Sequence, residues 1–251
     1  MDGGVLGMNM EGPIAHIQIQ GPWDDPARVE VFSGELEDCC QQASAEPEVA
    51  LVVITGEGRE AFAFKNQALF PRIEGLLSSP AGIISGLDLP VIGACAGEVS
   101  GLGLEMLMAC DVRICTAETT FSLPQIKEGL MPADGGTQLL PRLVGKTLAM
   151  EMVLTGEPIA AALAQERGLV NRVAPAVELL TTALGMAKEM AEKAPIAMRY
   201  VKEAVNHGLD MRLEQGLRLE ADLYLHLHTT QDRREGITAF QRKKKPSFTG
   251  Q

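Results

Sequence analysis

The sequence predicts an α/β protein with a helical C-terminal region, and three observations carry that expectation. Apolar, strand-like segments alternate with helix-compatible ones through the first half of the chain. A strand from Pro90 to Ala96 runs through a glycine-lined turn directly into a helix. From Lys146 onward the pattern is helical with ordinary breaks. With 251 residues, 46% of them hydrophobic, the chain can bury a large core without disulfides or a structural metal.

Residues 13 to 20 place Ala15, Ile17 and Ile19 on one face of a strand. Residues 49 to 55 are almost continuously apolar, as a strand covered on both faces would be. Residues 27 to 44 between them are helix-compatible. After the glycine turn a helix of about two to three turns runs toward Ala109, and Val112 to Thr116 returns as a strand. The C-terminal helices are predicted over 146–154, 160–167, 177–193, 195–207 and 211–229. Gly156, Gly168, Pro175 and Gly208 mark the breaks. Glu214, Arg218 and Asp222, four apart, form a solvated stripe on the last of them.

A net charge of −11 excludes a protein that grips a nucleic-acid backbone over a broad basic face, so no nucleic-acid partner is expected. The five cysteines are odd in number, lie mostly in apolar segments and lack the paired spacing of a zinc site. They read as free thiols in a reducing compartment. No stretch reaches the roughly 18 uninterrupted apolar residues of a membrane span, and the N-terminus lacks a basic patch followed by an apolar core. The expectation is a cytoplasmic protein with no membrane partner. His16, His207, His226 and His228 form no metal-binding spacing, and no metal is expected.

The chemistry-bearing stretch is Gly97-Glu98-Val99-Ser100-Gly101-Leu102-Gly103-Leu104-Glu105, which follows a strand and opens a helix. Peptide N–H groups around Leu102 would face outward at the positive end of the helix dipole, a setting suited to an oxyanion or a polarised carbonyl. The pattern is not GxGxxG, and the glycines equally well serve only close helix packing. Glu105 lies beside this turn, Asp134 lies inside a second glycine turn, and Gln125 stands between them.

These residues, with Ala109-Cys110-Asp111, Phe121-Ser122-Leu123-Pro124-Gln125, Gly135-Gly136-Thr137-Gln138, Leu140-Pro141-Arg142-Leu143-Val144-Gly145-Lys146, Leu154-Thr155-Gly156 and Gly168-Leu169-Val170-Asn171, resemble the crotonase family of enoyl-CoA hydratases/isomerases. The likeness continues to Arg234-Glu235-Gly236 and Lys243-Lys244-Lys245-Pro246. The resemblance implies a crotonase-like spiral of ββα units over residues 1–194 and a helical C-terminal trimerisation region over 195–251. It implies a homotrimer or dimer of trimers, an acyl-CoA thioester substrate, and no cofactor beyond the coenzyme A of the substrate. Two backbone N–H groups would hold the thioester carbonyl, those of Leu102 and Phe64. Ala63, Lys65, Gly101, Tyr224 and Lys243 fall at positions of substrate or CoA contact, the last two gripping CoA from a neighbouring subunit.

Departures from the family pattern sharpen the question. Hydratases of the family use two glutamates around one water. Glu105 matches the first, but Gln125 stands where the second belongs, and an amide cannot exchange a proton near neutral pH. Asp134 is either a second acid or the N-cap of the helix starting at Gly135. Phe64 would narrow the acyl pocket, and Lys65 would meet a CoA phosphate or remain a solvated loop charge. Trp23 would stack near the adenine or pack in the core, and the Arg242 to Lys245 cluster would bind a CoA phosphate or remain a solvated basic tail. The resemblance thus implies an enoyl-CoA hydratase/isomerase-type enzyme with Glu105 as acid/base. A catalytically silent acyl-CoA-binding homologue, or a thioester hydrolase or decarboxylase on the same scaffold, are the alternatives.

Overall fold

The computed structural model describes residues 4–23, 26–64 and 79–251. A six-stranded sheet forms its backbone: β1 (Leu6–Glu11), β2 (Ile14–Gln20), β3 (Leu51–Glu57), then β5 (Val91–Cys95), β7 (Val112–Thr116) and β10 (Arg172–Ala174) in that spatial order. β1 pairs antiparallel with β2, and every later neighbour is parallel. In β2 the predicted alternation holds, with Ala15, Ile17 and Ile19 fully buried and His16 and Gln18 half-buried. β3 is buried over five consecutive residues because the sheet is covered on both sides. β1 is not anticipated by the sequence, since its polar, glycine-containing run is an outer strand with half its residues exposed.

The second sheet has four very short strands, β4 (Phe62–Ala63), β6 (Glu98–Ser100), β8 (Thr120–Ser122) and β9 (Ile159–Ala160). Each turn of the chain places one strand in the large sheet and the next in the small one, then a helix. The turns are β3, β4 and α2 (Pro80–Ser85); β5, β6 and α3 (Leu102–Ala109); and β7 and β8, then a 3₁₀ turn at Pro124–Glu128 and α4 (Gly136–Val144). This is the spiral of ββα units that the family resemblance implies. Strands of two or three residues carry too few positions for alternation to be visible in a sequence.

The core has two parts. One lies between the sheets with α1 (Pro26–Ala45) and α3, where Phe32, Phe62, Phe64 and Phe121 are fully buried. On the opposite face of the large sheet, Leu51, Val53, Ile92, Ala94 and Ile114 pack against Ala183 and Ala187 of α7 (Leu179–Ala191). α5 (Lys146–Thr155) and α6 (Ala161–Glu166), whose buried residues belong to the first part, flank β9 on the way to β10. The C-terminal helices are α8 (Pro195–Leu209), α9 (Leu213–Leu227) and α10 (Gln231–Gln241). The helix read over 211–229 is shorter at both ends. α10 was not anticipated, and begins where Thr230 caps it by accepting a hydrogen bond from Arg233 N–H at 3.2 Å. Lys202 clips α8 to the body through Asp111 and the Leu89 carbonyl, both at 2.8 Å.

α3 runs through the middle with seven of its eight residues buried. Its approach to β4 leaves no room at Gly103, where an added Cβ would lie 2.1 Å from the Phe62 carbonyl oxygen. Gly103→Ala is therefore expected to destabilise the fold by about 3 kcal/mol or to prevent folding, because the obstacle is backbone that cannot rotate away. A urea denaturation midpoint unchanged from wild type would show that the approach is looser than described.

Candidate active site

Gly97 leads from β5 into β6 and Gly101 leads from β6 into α3, both at positive φ (73° and 57°) where an L side chain is strained. Gly101 N–H bonds the Ser122 carbonyl at 3.1 Å, locking the turn to β8, while its own carbonyl accepts from Leu104 and Glu105 N–H, each at 3.1 Å. Leu102 and Gly103 are the first helical residues, and helix geometry gives their N–H groups no carbonyl one turn back. The glycines thus serve close packing, at Gly103 and at Gly97, and also the turn that presents the helix terminus.

Glu105, on the first turn of α3, is 2% exposed. Its Oε1 accepts two backbone N–H groups, from Asp134 and Gly136, each at 2.9 Å. Only glycine fits at 136, because a Cβ there would meet Glu105 Oε1 at 2.8 Å and Pro132 at 2.7 Å. Oε2 faces the Gln125 amide, whose Nε2 donates at 3.3 Å. Burial pushes the carboxyl up to about 7; the two N–H bonds and the glutamine amide oppose the rise, and the neighbouring Asp134 charge adds to it. With Oε1 saturated as an acceptor, the proton of the neutral form belongs on Oε2.

Gln125 sits in the 3₁₀ turn Pro124–Glu128, which packs against α5, and it is itself 2% exposed. Its Oε1 is buried with no partner among the described residues, a costly state for an amide oxygen and one that a water or ligand donor would relieve. The glutamine is therefore in contact with Glu105 and holds a spare acceptor beside it.

Asp134 does not cap the helix after it. α4 starts at Gly136 with Gly135 as its N-cap, at φ 96° and with no side-chain cap bond. The Asp134 carboxylate turns instead to α2, where Oδ2 accepts from Ala81 N–H at 2.8 Å and the Ser79 hydroxyl bonds it as well. Burial pushes its carboxyl upward, and those two bonds work against the rise. The reading of Asp134 as the cap of its own helix is thus corrected: an available N–H at a different helix terminus won the side chain. Ser79 and Ala81 were not singled out in the sequence, although Ser79-Pro80 is a recognisable start, a capping serine followed by proline.

Phe64 does not offer a free donor. Its N–H bonds the Ser100 carbonyl at 3.3 Å, extending the pairing of β4 with β6, and its fully buried ring stacks on Trp23 with centroids 4.5 Å apart. The expectation that it narrows the acyl pocket gives way to a core role. Trp23, 5% exposed and bonded through Nε1 to the Ala61 carbonyl at 2.7 Å, is likewise a packing residue rather than an adenine platform. Ala63 is buried in β4, while Lys65 lies outside the described residues. Tyr224 is exposed on α9 with its ring edge to face with His228. Lys243 follows α10 at φ 52°, and Lys245 of the basic cluster pairs with Glu192 at 2.5 Å. Cys40, Cys110 and Cys115 are free thiols whose burial pushes them up to about 12, so they are inert as nucleophiles. Among the described residues no three His, Cys, Asp or Glu side chains gather as a metal site.

The raised affinity of Glu105 for its proton has a thermodynamic consequence. Its ordinary value is 4.5 and its folded value about 7. Its contribution to stability is therefore complete below about pH 4.5 and is lost as pH rises through about 7, a change of about 3 kcal/mol. Glu105→Gln, whose amide oxygen can still accept both N–H groups, is expected to remove this slope and to be the more stable protein at pH 8.5. Parallel pH–stability curves for the two proteins would refute the assignment.

Residues 77–251 match the family Enoyl-CoA hydratase/isomerase. The chain is 37% identical over 222 residues to the 2,3-dehydroadipyl-CoA hydratase of Escherichia coli, covering 86% of this chain and 87% of that protein. It is 35% identical over 242 residues to the mitochondrial enoyl-CoA hydratase of Pongo abelii, covering 94% and 83%. A crystal structure of the enoyl-CoA hydratase from Bacillus anthracis superposes with a TM-score of 0.87 at 30% identity, covering 98% of this chain and all of that one. The buried glutamate at the head of α3, the two-sheet spiral that carries it and these likenesses agree, and the chain belongs to the enoyl-CoA hydratase/isomerase family.

Proposed function

We propose that the protein adds water to, or moves the double bond of, an enoyl-CoA thioester, with Glu105 as the one proton-transferring group. The observation that carries this reading is Glu105 itself: one oxygen fixed by two N–H groups, the other beside Gln125, and a proton affinity near neutrality. A group balanced in that way both takes and returns a proton at neutral pH. In hydration, ionised Oε2 accepts one hydrogen of a water whose oxygen bonds the β-carbon. The same proton then passes to the α-carbon of the enolate, leaving the hydroxyl on the β-carbon and Glu105 ionised again. Gln125 Oε1 accepts the water's second hydrogen and so orients it. The N–H of Leu102 at the head of α3 stabilises the enolate oxygen.

A carboxyl that both takes and gives also suits isomerisation, where it removes a proton from one carbon of the acyl chain and returns it to another. The absence of a carboxylate at position 125 favours this second reading, because isomerisation needs no positioned water. The relatives' printed activities support the hydratase, and the two are separated by product. Incubation with enoyl-CoAs in deuterated water distinguishes both from a silent acyl-CoA binder. Hydration yields a 3-hydroxyacyl thioester. Isomerisation yields an enoyl thioester with its double bond shifted and no hydroxyl, deuterated only to the extent that the Glu105 proton exchanges with solvent. A silent binder yields no product and no deuterium uptake. Glu105→Gln is expected to lower turnover at least about a hundredfold; undiminished turnover would end the assignment.

The same reading includes assembly and cytoplasmic residence, with no cofactor beyond the substrate's own coenzyme A. α8 has no buried residue and α9 only Leu223, while Val201, Val205 and Leu209 of α8 and Leu213 and Leu217 of α9 are exposed at helical spacing. Such faces support a homotrimer or dimer of trimers, in which Tyr224 and Lys243 reach the CoA of a neighbour. Sedimentation is expected to give three or six times the 26.9 kDa chain mass; a monomer at micromolar concentration would contradict this part of the reading.

A further inference from the structure

Asp134 occupies a position that neither acid catalysis nor capping of its own helix explains. Its backbone N–H is one of the two that hold Glu105 Oε1, at 2.9 Å, and its carboxylate is bonded 2.8 Å from Ala81 N–H and to the Ser79 hydroxyl. It is 3% exposed. α2, which receives the carboxylate, packs on α3, which carries Glu105, so the turn 131–136 is tied at both ends. Ser79 completes the arrangement by accepting Gly82 N–H at 3.0 Å while its hydroxyl serves Asp134.

We propose that Asp134 is a positioning residue for Glu105: its carboxylate anchors the second glycine turn to the first turn of α2, so that the turn's N–H groups stay aimed at Glu105 Oε1 and a fixed negative charge stands beside the acid. This deepens the acid/base reading of Glu105 and rests on it. It takes the carboxylate away from proton transfer, because both partners of the side chain, Ser79 and Ala81, lie at the N-terminal end of α2 and the hydrogen bond to Glu105 is made by the main chain. Among the described residues Asp134 is the one charge that acts on Glu105. The other charged side chains on the elements around α3 are Glu98 of β6, Lys127 and Glu128 of the 3₁₀ turn and Arg142 of α4, while α2 and β4 carry none.

The test reads Glu105 directly, by the carboxyl signal in isotope-edited infrared or carbon NMR titration, assigned by its loss in Glu105→Gln. In Asp134→Asn the amide oxygen still accepts from Ala81 but the charge is gone, and the Glu105 midpoint is expected to fall below its wild-type value. The acid limb of the pH–turnover profile should fall with it. Asp134→Ala removes the anchor too, and turnover is expected to drop tenfold or more in kcat with little change in KM, with Asp134→Asn restoring much of the loss. Where Asp134→Ala does not fold, Ser79→Ala, which removes one of the two anchors, carries the same comparison. A Glu105 midpoint unmoved in Asp134→Asn, or an Asp134→Asn protein as inactive as Glu105→Gln, would overturn the proposal, the latter by making Asp134 a proton donor. Failure of the enoyl-CoA reading is seen separately, as a wild-type protein that turns over no thioester yet still shows the midpoint shift.

Discussion

The structure is organised around one carboxyl group held away from water. Isolating a charged carboxylate in a protein interior is expensive unless donors meet it, and two fixed N–H groups and one amide meet Glu105. That requirement reaches far into the fold. It needs α3 to start within van der Waals reach of β4, a second turn with no side chain at 136, and a 3₁₀ turn that returns Gln125 to the same spot. The compensation is partial, which leaves the proton nearly balanced between bound and free near neutral pH. A fully satisfied carboxylate would be a poor acid, and an unsatisfied one would stay protonated.

The ββα spiral is the means of meeting these conditions. Each turn sends its second strand into the small sheet, whose members are too short to be stable alone and are held by pairing with one another and by the core packed against them. The strand ends at Ala63, Ser100 and Ser122 therefore stand side by side, as the pairings of β4 with β6 and β6 with β8 record. The glycine turn at 101 opens there, and residues distant in the chain converge on it.

Much of this was legible in the amino-acid order. The four apolar residues opening β3, the alternation of β2 and the glycine-lined entry to α3 carry their own physical signatures, and the ordered motifs carried the family. Glu105 and Gln125 were identified as partners and the structure puts them in contact. What was not legible depends on tertiary choice. Asp134 could satisfy either of two helix starts, and a sequence does not say which one lies nearer. Phe64 and Trp23 could face a ligand or each other, and ring stacking in the core decided it. The partners of Glu105 Oε1 are main-chain N–H groups, which leave no trace in side-chain identity.

The Trp23 contact has an optical side. It is the sole tryptophan of the chain, sealed from water, bonded through its indole N–H to Ala61 and lying flat on Phe64 at the end of β4. Its emission reports from a dry, hydrogen-bonded setting that adjoins the same strand against which α3 packs. The protein thus carries an intrinsic fluorophore packed beside β4, the strand on which α3 rests, with no second indole to blur the signal.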